Sequence, residues 1–286
     1  MTTAFLGPRG SFSEEAALMR ASADDLLPVA SFPAAVAAVE AGEATQAVIP
    51  IENSIEGSVN VTLDLLIHET ALRIVGELAL PVRHFLVARP GATLADITVV
   101  SSHPQALGQC RHFLQDALPH ASQVAALSTS GSVQEAAADP TGTRAGIGTL
   151  RAAELYGGEV LAHDIQDQRS NVTRFVVLAP EDAPPTGADK TSITFRLNAN
   201  IPGSLHLALS EFAKAGIQLT KIESRPTKSY LWDYMFLVDM EGHREDPEVA
   251  AALERAAQHC QVFKVFGSYP RFPVDALRAE LEAANA

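Results

Sequence analysis

Residues 181–190, EDAPPTGADK, break the chain into two folding problems. Two adjacent prolines lock two φ angles and remove two backbone donors, and the glycine adds a flexible step. Neither a helix nor a central strand runs through such a stretch. The apolar faces before and after it must therefore be buried in separate cores. Before the break, strand signals at 3–6, 46–51, 72–79, 82–88, 97–101, 144–148, 159–164 and 174–179 alternate with helical patterns at 13–20, 32–41, 58–68, 104–117, 131–138 and 149–156. That alternation predicts an α/β region built on a mostly parallel sheet covered by helices. After the break the order is β-α-β-β-α-β: KTSITFRLN, GSLHLALSEFAKAG, IQLTKIESRP, YLWDYMFLVDMEG, DPEVAAALERAAQHC and VFKVFGSY. This is the ferredoxin-like order, with both helices on one face of a small sheet. The terminal LRAELEAANA reads either as a short helix or as a tail.

Composition excludes several roles. The chain has 286 residues, 47% of them hydrophobic, and a formal charge of −13. No basic block is present, so nucleic acid is not an expected partner. No apolar run approaches about 18 residues, so no membrane span is expected. MTTAFLGPRG lacks a basic start followed by an apolar stretch, which predicts a cytoplasmic protein. Cys110 and Cys260 are too few for a disulfide framework and read as small core residues. The nine histidines show no metal-binding spacing, so no metal is expected.

An acidic chain that binds an anion must do so locally. Four turns lead from strands into helices: FLGPRGSFSEEAA, IPIENSIEGSVNVTLDLL, VVSSHPQALGQC and STSGSVQEAA. Helix starts carry unpaired amides and partial positive charge, and in open α/β sheets they gather at one edge. Ser11-x-x-Glu14 and Ser132-x-x-Glu135 fit the capping box, and Pro104 fits a first helical position. No Walker loop and no GxGxxG is present, so carboxylates suit these ends better than nucleotides. Glu52, Asn53 and Ser54 follow a strand directly, and read equally as a catalytic edge and as a polar cap. Ser101, Ser102, His103 and Gln105 stand at another helix start. In IQDQRSNVTRFVVLA, strand alternation puts Asn171, Thr173 and Phe175 on one face and Val172 and Arg174 on the other. That string reads equally as the floor of a site and as a surface crossover.

Taken together, these motifs resemble prephenate dehydratase in its form without a fused mutase. FLGPRGSFSEEAA, IPIENSIEGSV, SHPQALGQC, IQDQRSNVTRFVVLA, KTSITFRLNANIPGSL and IESRPTK carry the resemblance, in order along nearly the whole chain. It implies a catalytic region over 1–181. That region has two lobes similar to type II periplasmic binding proteins, the second spanning roughly 80–165, with the site in the cleft. It also implies an ACT regulatory domain over 190–272. The reaction it implies takes prephenate to phenylpyruvate, water and carbon dioxide, with no cofactor.

The resemblance carries site residues with it. Thr173 of the Thr173-Arg174-Phe175 motif is held essential, and Glu52, Asn53 and Gln105 are expected beside it as catalytic residues. Ser11, Ser54, Ser101, Ser102, His103, Gln168, Asn171, Arg174 and Phe175 are expected to bind substrate. Glu52, if buried and protonated, is the expected acid, with His103 behind it. Phenylalanine is expected as allosteric effector at Gly203, Ser204, Leu205, Glu223, Ser224, Arg225 and Pro226. Ser204 departs from the family's usual Gly-Ala-Leu but keeps a small residue. ACT pairing implies a homodimer or homotetramer. Arogenate dehydratase, and a non-catalytic amino-acid sensor, are the alternatives.

Overall fold

The structure, a computed structural model, describes residues 1–227, 232–275, 277 and 279. Most of the terminal LRAELEAANA, the start of the strand expected from Tyr230, and Lys228 of IESRPTK lie outside the described residues.

The chain forms two compact units. The first holds Met1–Val59 and Leu78–Phe175; the second holds Asn60–Glu77 and Val176–Phe272. The linker alone would assign 60–77 to the first half. Its packing assigns it to the second.

In chain order the elements begin β1 (Thr3–Leu6), α1 (Phe12–Leu18), β2 (Leu26–Val29), α2 (Phe32–Glu40), β3 (Gln46–Asn53) and β4 (Gly57–Ser58). Next come α3 (Asn60–Asp64), which runs into a π-helical turn at Leu65–Glu69, then β5 (Arg73–Pro81) and β6 (Phe85–Ala88). β7 (Val99–Ser102), α4 (Pro104–Gln109), α5 (Arg111–Ala117), β8 (Ser122–Ala125), α6 (Thr129–Ala137), β9 (Arg144–Gly148), α7 (Leu150–Tyr156), β10 (Glu159–Ala162) and β11 (Val172–Ala179) follow. The remainder is β12 (Asp189–Leu197), α8 (Ser204–Lys214), β13 (Leu219–Pro226), β14 (Tyr234–Glu241), α9 (Pro247–Ala257) and β15 (Cys260–Pro270).

Three sheets result, two mixed and one antiparallel. The first has the order β2-β1-β3-β11-β5, with β4 paired to β3. Its β1 lies parallel to both β2 and β3. The second has the order β10-β6-β9-β7-β8 and mixes two antiparallel with two parallel ladders. The third, β13-β14-β12-β15, is antiparallel throughout. The expected fold class therefore holds: two α/β lobes and an α+β unit.

Each sheet has its own core. Leu86, Val100, Ala145 and Ile147 of the second sheet pack on Ala106, Cys110 and Leu114 from α4 and α5. Ile193, Phe195, Val238 and Met240 of the third pack on Phe212 from α8 and Leu253 from α9. Both cysteines are free thiols, and burial raises both above the ordinary thiol range, so neither is an activated nucleophile.

Local differences from the sequence reading have local causes. The single helix expected over 104–117 breaks at Cys110, whose backbone leaves the helical region (φ −115°, ψ 21°). Ser132 does not cap a helix; α6 starts earlier, capped by Ser128, and the Ser132 hydroxyl bonds back to the Ser128 carbonyl at 3.0 Å. Ser11 caps α1 by accepting from the Glu14 N–H, but the buried Glu14 carboxylate reaches the Gly10 N–H at 2.6 Å instead of closing a capping box.

The β1–α1 turn fastens the two lobes of the first unit. Thr149 Oγ1 donates to the Gly10 carbonyl at 2.7 Å, and the Ser130 and Tyr156 hydroxyls donate to the Arg9 carbonyl. Gly10 sits at φ +78°, and a Cβ there would stand 2.9 Å from Ala152 Cα. Only glycine permits that approach.

Candidate active site

Three helix starts and two strand ends surround one cavity of about 300 Å³ in the first unit. Leu6–Pro8 and Ser11–Ser13 reach it from the β1–α1 turn, His103, Gln105, Ala106 and Gln109 from α4, and Leu127–Thr129 from the start of α6. Asn53, Asn171 and Thr173 come from the first sheet, Val82 and His84 from the stretch between β5 and β6. No aspartate, glutamate, lysine or arginine is among the lining residues. Anion binding there falls to first-turn amides and hydroxyls, helped by the helix dipoles.

The floor is a directed chain of hydrogen bonds, and its direction follows from the backbone. Asn53 Oδ1 accepts the N–H groups of Ile55 and Glu56, both at 3.0 Å. A backbone N–H can only donate, so the other end of the Asn53 amide is the NH2 group. That Nδ2 donates to Asn171 Oδ1 at 2.8 Å and to Thr173 Oγ1 at 3.0 Å. Asn171 Nδ2 then donates to Gln109 Oε1 at 3.2 Å. His84 Nε2 lies 3.0 Å from the same oxygen.

Two consequences follow. Thr173 Oγ1 is an acceptor from the protein, so its own proton is available to the cavity. His84 is 2% exposed, and burial holds its pKa below the ordinary imidazole range. It is therefore neutral, with the proton on Nε2.

The structure brings Ser11, Asn53, His103, Gln105, Asn171 and Thr173 together as the sequence suggested. Others do not line this cavity. Glu52 is not buried: its side chain is 36% exposed and lies 3.7 Å from Arg174 Nη1. Neither Glu52 nor Arg174 lines the cavity. Phe175 is buried in the core. Ser101 and Ser102 are buried in β7, where Ser102 Oγ donates to the Ile147 carbonyl at 2.7 Å. Ser54 pins the strand end, accepting from the Val172 N–H at 2.9 Å. Gln168 lines an adjoining cavity of about 280 Å³ that shares Gln105, Gln109 and Asn171.

His84, Gln109, Ser128 and Thr129 are among the lining residues that sequence reading missed. Gln109 had a signal: it stands one helical turn after Gln105 and shares its face. Ser128 opens the STSGS turn and caps its helix. His84 sits in an unremarkable VRHFLV strand entry and had none.

In the second unit, Gly203 takes φ +90° at the start of α8 and Leu205 packs against the sheet core. Glu223 lies 3.4 Å from Lys221, and Arg225 Nη2 lies 2.7 Å from Asp64 Oδ1. Arg225 also donates to Asn60.

Comparison with known proteins finds matches along nearly the whole chain. The family model for prephenate dehydratase matches residues 3–183, and that for the ACT domain matches 191–258. A prephenate dehydratase from Mycolicibacterium vanbaalenii is 42% identical over 284 residues, covering 93% of this chain and 90% of that protein. The crystal structure of the Arthrobacter aurescens prephenate dehydratase in complex with L-Phe superposes with a TM-score of 0.86 at 38% identity, covering 100% of this chain and 98% of that one. GqqA, described as a novel type of quorum quenching acylase, superposes with a TM-score of 0.86 at 33% identity, covering 96% and 99%.

Proposed function

The chain belongs to the prephenate dehydratase family and carries an ACT domain, and on that premise we propose how its residues perform the reaction. The substrate is prephenate, the products phenylpyruvate, water and carbon dioxide, and the regulator phenylalanine. The catalytic region spans 1–181, with its second lobe over roughly 80–165, and the regulatory domain spans 190–272. The enzyme works in the cytoplasm as a homodimer or homotetramer.

The observation that carries the mechanism is the 3.0 Å bond from Asn53 Nδ2 to Thr173 Oγ1. Prephenate loses its ring hydroxyl and ring carboxylate together, and the ring becomes aromatic. No electron sink or redox step is needed, so no cofactor is called for. What the reaction needs is two carboxylates held and one hydroxide helped to leave as water. The helix starts at Ser11, His103 and Ser128 hold the carboxylates. Thr173, obliged to accept from Asn53, donates its own proton as a hydrogen bond to the leaving oxygen, where charge develops. A threonine hydroxyl is too weak an acid to give that proton up. His103, exposed and lining the cavity, supplies it. Gln105 and Asn171 orient the substrate.

An acylase would need an activated nucleophile. Among the described residues no lining hydroxyl is bonded to a histidine ring: Ser11 Oγ donates to the Leu6 carbonyl, and Ser128 Oγ accepts from the Gly131 N–H. The deciding experiment is incubation of the purified protein with prephenate, with arogenate and with an acyl amide in parallel, with and without phenylalanine. Rapid phenylpyruvate formation that phenylalanine suppresses supports the proposal. Preference for arogenate replaces the substrate, amide hydrolysis alone replaces the reaction, and binding without turnover leaves an amino-acid sensor.

A further inference from the structure

We infer that His84 is a positioning residue: it locks the Gln109 amide so that its NH2 group faces the cavity as a donor to substrate. This rests on the cavity being the prephenate site. Gln109 is the last amide of the chain that begins at the Ile55 and Glu56 N–H groups. A terminal amide rotates easily, and either end can face a ligand. Here two donors converge on one oxygen, Asn171 Nδ2 at 3.2 Å and His84 Nε2 at 3.0 Å. A flipped Gln109 would set its NH2 against both, so the oxygen faces inward. Gln109 Nε2 has no hydrogen-bond partner among the described residues, and Gln109 lines the cavity.

Packing alone does not explain a histidine at this position. The ring stands edge-on to Phe12 at 5.5 Å, a contact that an apolar side chain would also make. Its Nδ1 is buried without a partner, which disfavours histidine relative to leucine. The Nε2–H is the one feature that leucine lacks and Gln109 uses. The backbone fixes the ring in place, with His84 N–H donating to Gln166 Oε1 at 2.9 Å and the His84 carbonyl accepting from Ile165 at 3.0 Å.

The test is steady-state kinetics of the full chain carrying His84→Leu, His84→Gln or His84→Asn, each also in a Gln109→Leu background. His84→Leu should lower kcat about 10–100-fold with KM changed by less than about 3-fold, the range for a group that orients a reacting one. His84→Gln, whose amide nitrogen reaches the Nε2 position, should recover activity to within about 5-fold, while His84→Asn, reaching only Nδ1, should not. In the Gln109→Leu background, His84→Leu should cost less than about 3-fold more, because the two act as one unit. Wild-type kcat in His84→Leu, equal recovery by Asn and Gln, or an undiminished loss in the Gln109→Leu background would each overturn the inference. If His84→Leu does not fold, the Gln and Asn variants decide alone. A wild-type protein inactive on prephenate sinks the proposed reaction instead, which separates the two failures.

Discussion

Asn53 Nδ2 lies 3.0 Å from Thr173 Oγ1 and can only donate to it, because the Asn53 oxygen is already held by two backbone N–H groups. The pair turns a hydroxyl that could point either way into a donor aimed at the cavity. Thr173→Val keeps the shape and removes the donor. It should lower kcat roughly 100–1000-fold with little change in melting temperature. Thr173→Ser should stay within about 10-fold of wild type. Near-normal turnover by the valine variant would remove Thr173 from the mechanism.

Asn53→Asp tests the direction of the bond. A carboxylate cannot donate, so Thr173 would turn its proton onto the introduced carboxylate and away from substrate. The loss in kcat should match that of Thr173→Val, about 100-fold or more. A mild effect, measured in the same assay, would mean that the Asn53 NH2 does not set the threonine's direction.

Most of the strand and helix order was legible because it depends on local spacing, but the short β2 and β8 were not expected. Asn53, Gln105, Asn171 and Thr173, all picked out in the sequence, line one cavity. The face of a strand residue is fixed by its neighbours, so Asn171 and Thr173 were placed together correctly. The same rule, applied to Glu52 beside Asn53, would have put that carboxylate on the opposite face with Arg174. His84 was illegible because its role depends on Gln109 and Asn171, distant in sequence. The association of 60–77 with the regulatory unit was equally hidden, since nothing in NVTLDLLIHE names Lys264 or Arg225 as a partner.

Arg225 belongs to the motif expected to bind phenylalanine, yet its guanidinium is tied to Asp64 Oδ1 at 2.7 Å. Asp64 lies outside that motif. Asp64→Ala and Arg225→Ala should therefore both weaken phenylalanine inhibition, by at least about 5-fold in the half-inhibiting concentration. Dose–response curves for both variants check this. An Asp64→Ala enzyme with wild-type sensitivity would leave Arg225 as a ligand contact only.

Lys190 Nζ stands 2.8 Å from both oxygens of Glu77, with side chains only 15% and 4% exposed. Removing one partner strands a buried charge. Lys190→Met should cost about 3–5 kcal/mol of stability, and adding Glu77→Gln should recover much of it. Urea denaturation of the single and double variants reads the difference.

Burial pushes the Glu15 carboxyl up to about 7, against a partial opposing pull from the Arg151 backbone N–H at the start of α7. The folded state then binds this proton more tightly than the unfolded state, whose carboxyl titrates near 4.5. The stabilisation is complete below that lower value and is lost as pH rises through the higher one. Denaturation between roughly pH 5 and pH 8 should show the wild type losing about 1–3 kcal/mol relative to Glu15→Gln. Parallel curves for the two proteins would refute the shift.

Asn60–Glu77 leaves the first unit just after the Asn53 turn and returns just before Val82 and His84. While in the second unit it is held by Lys264, which donates to the Leu66 and Thr70 carbonyls at 2.7 and 2.8 Å, and by Gly267, where a Cβ would collide with the Ile74 carbonyl oxygen. The regulatory half is thus not a cassette. A chimera spliced at the proline-rich linker would meet a foreign 60–77 segment, and a working graft must carry that segment with it.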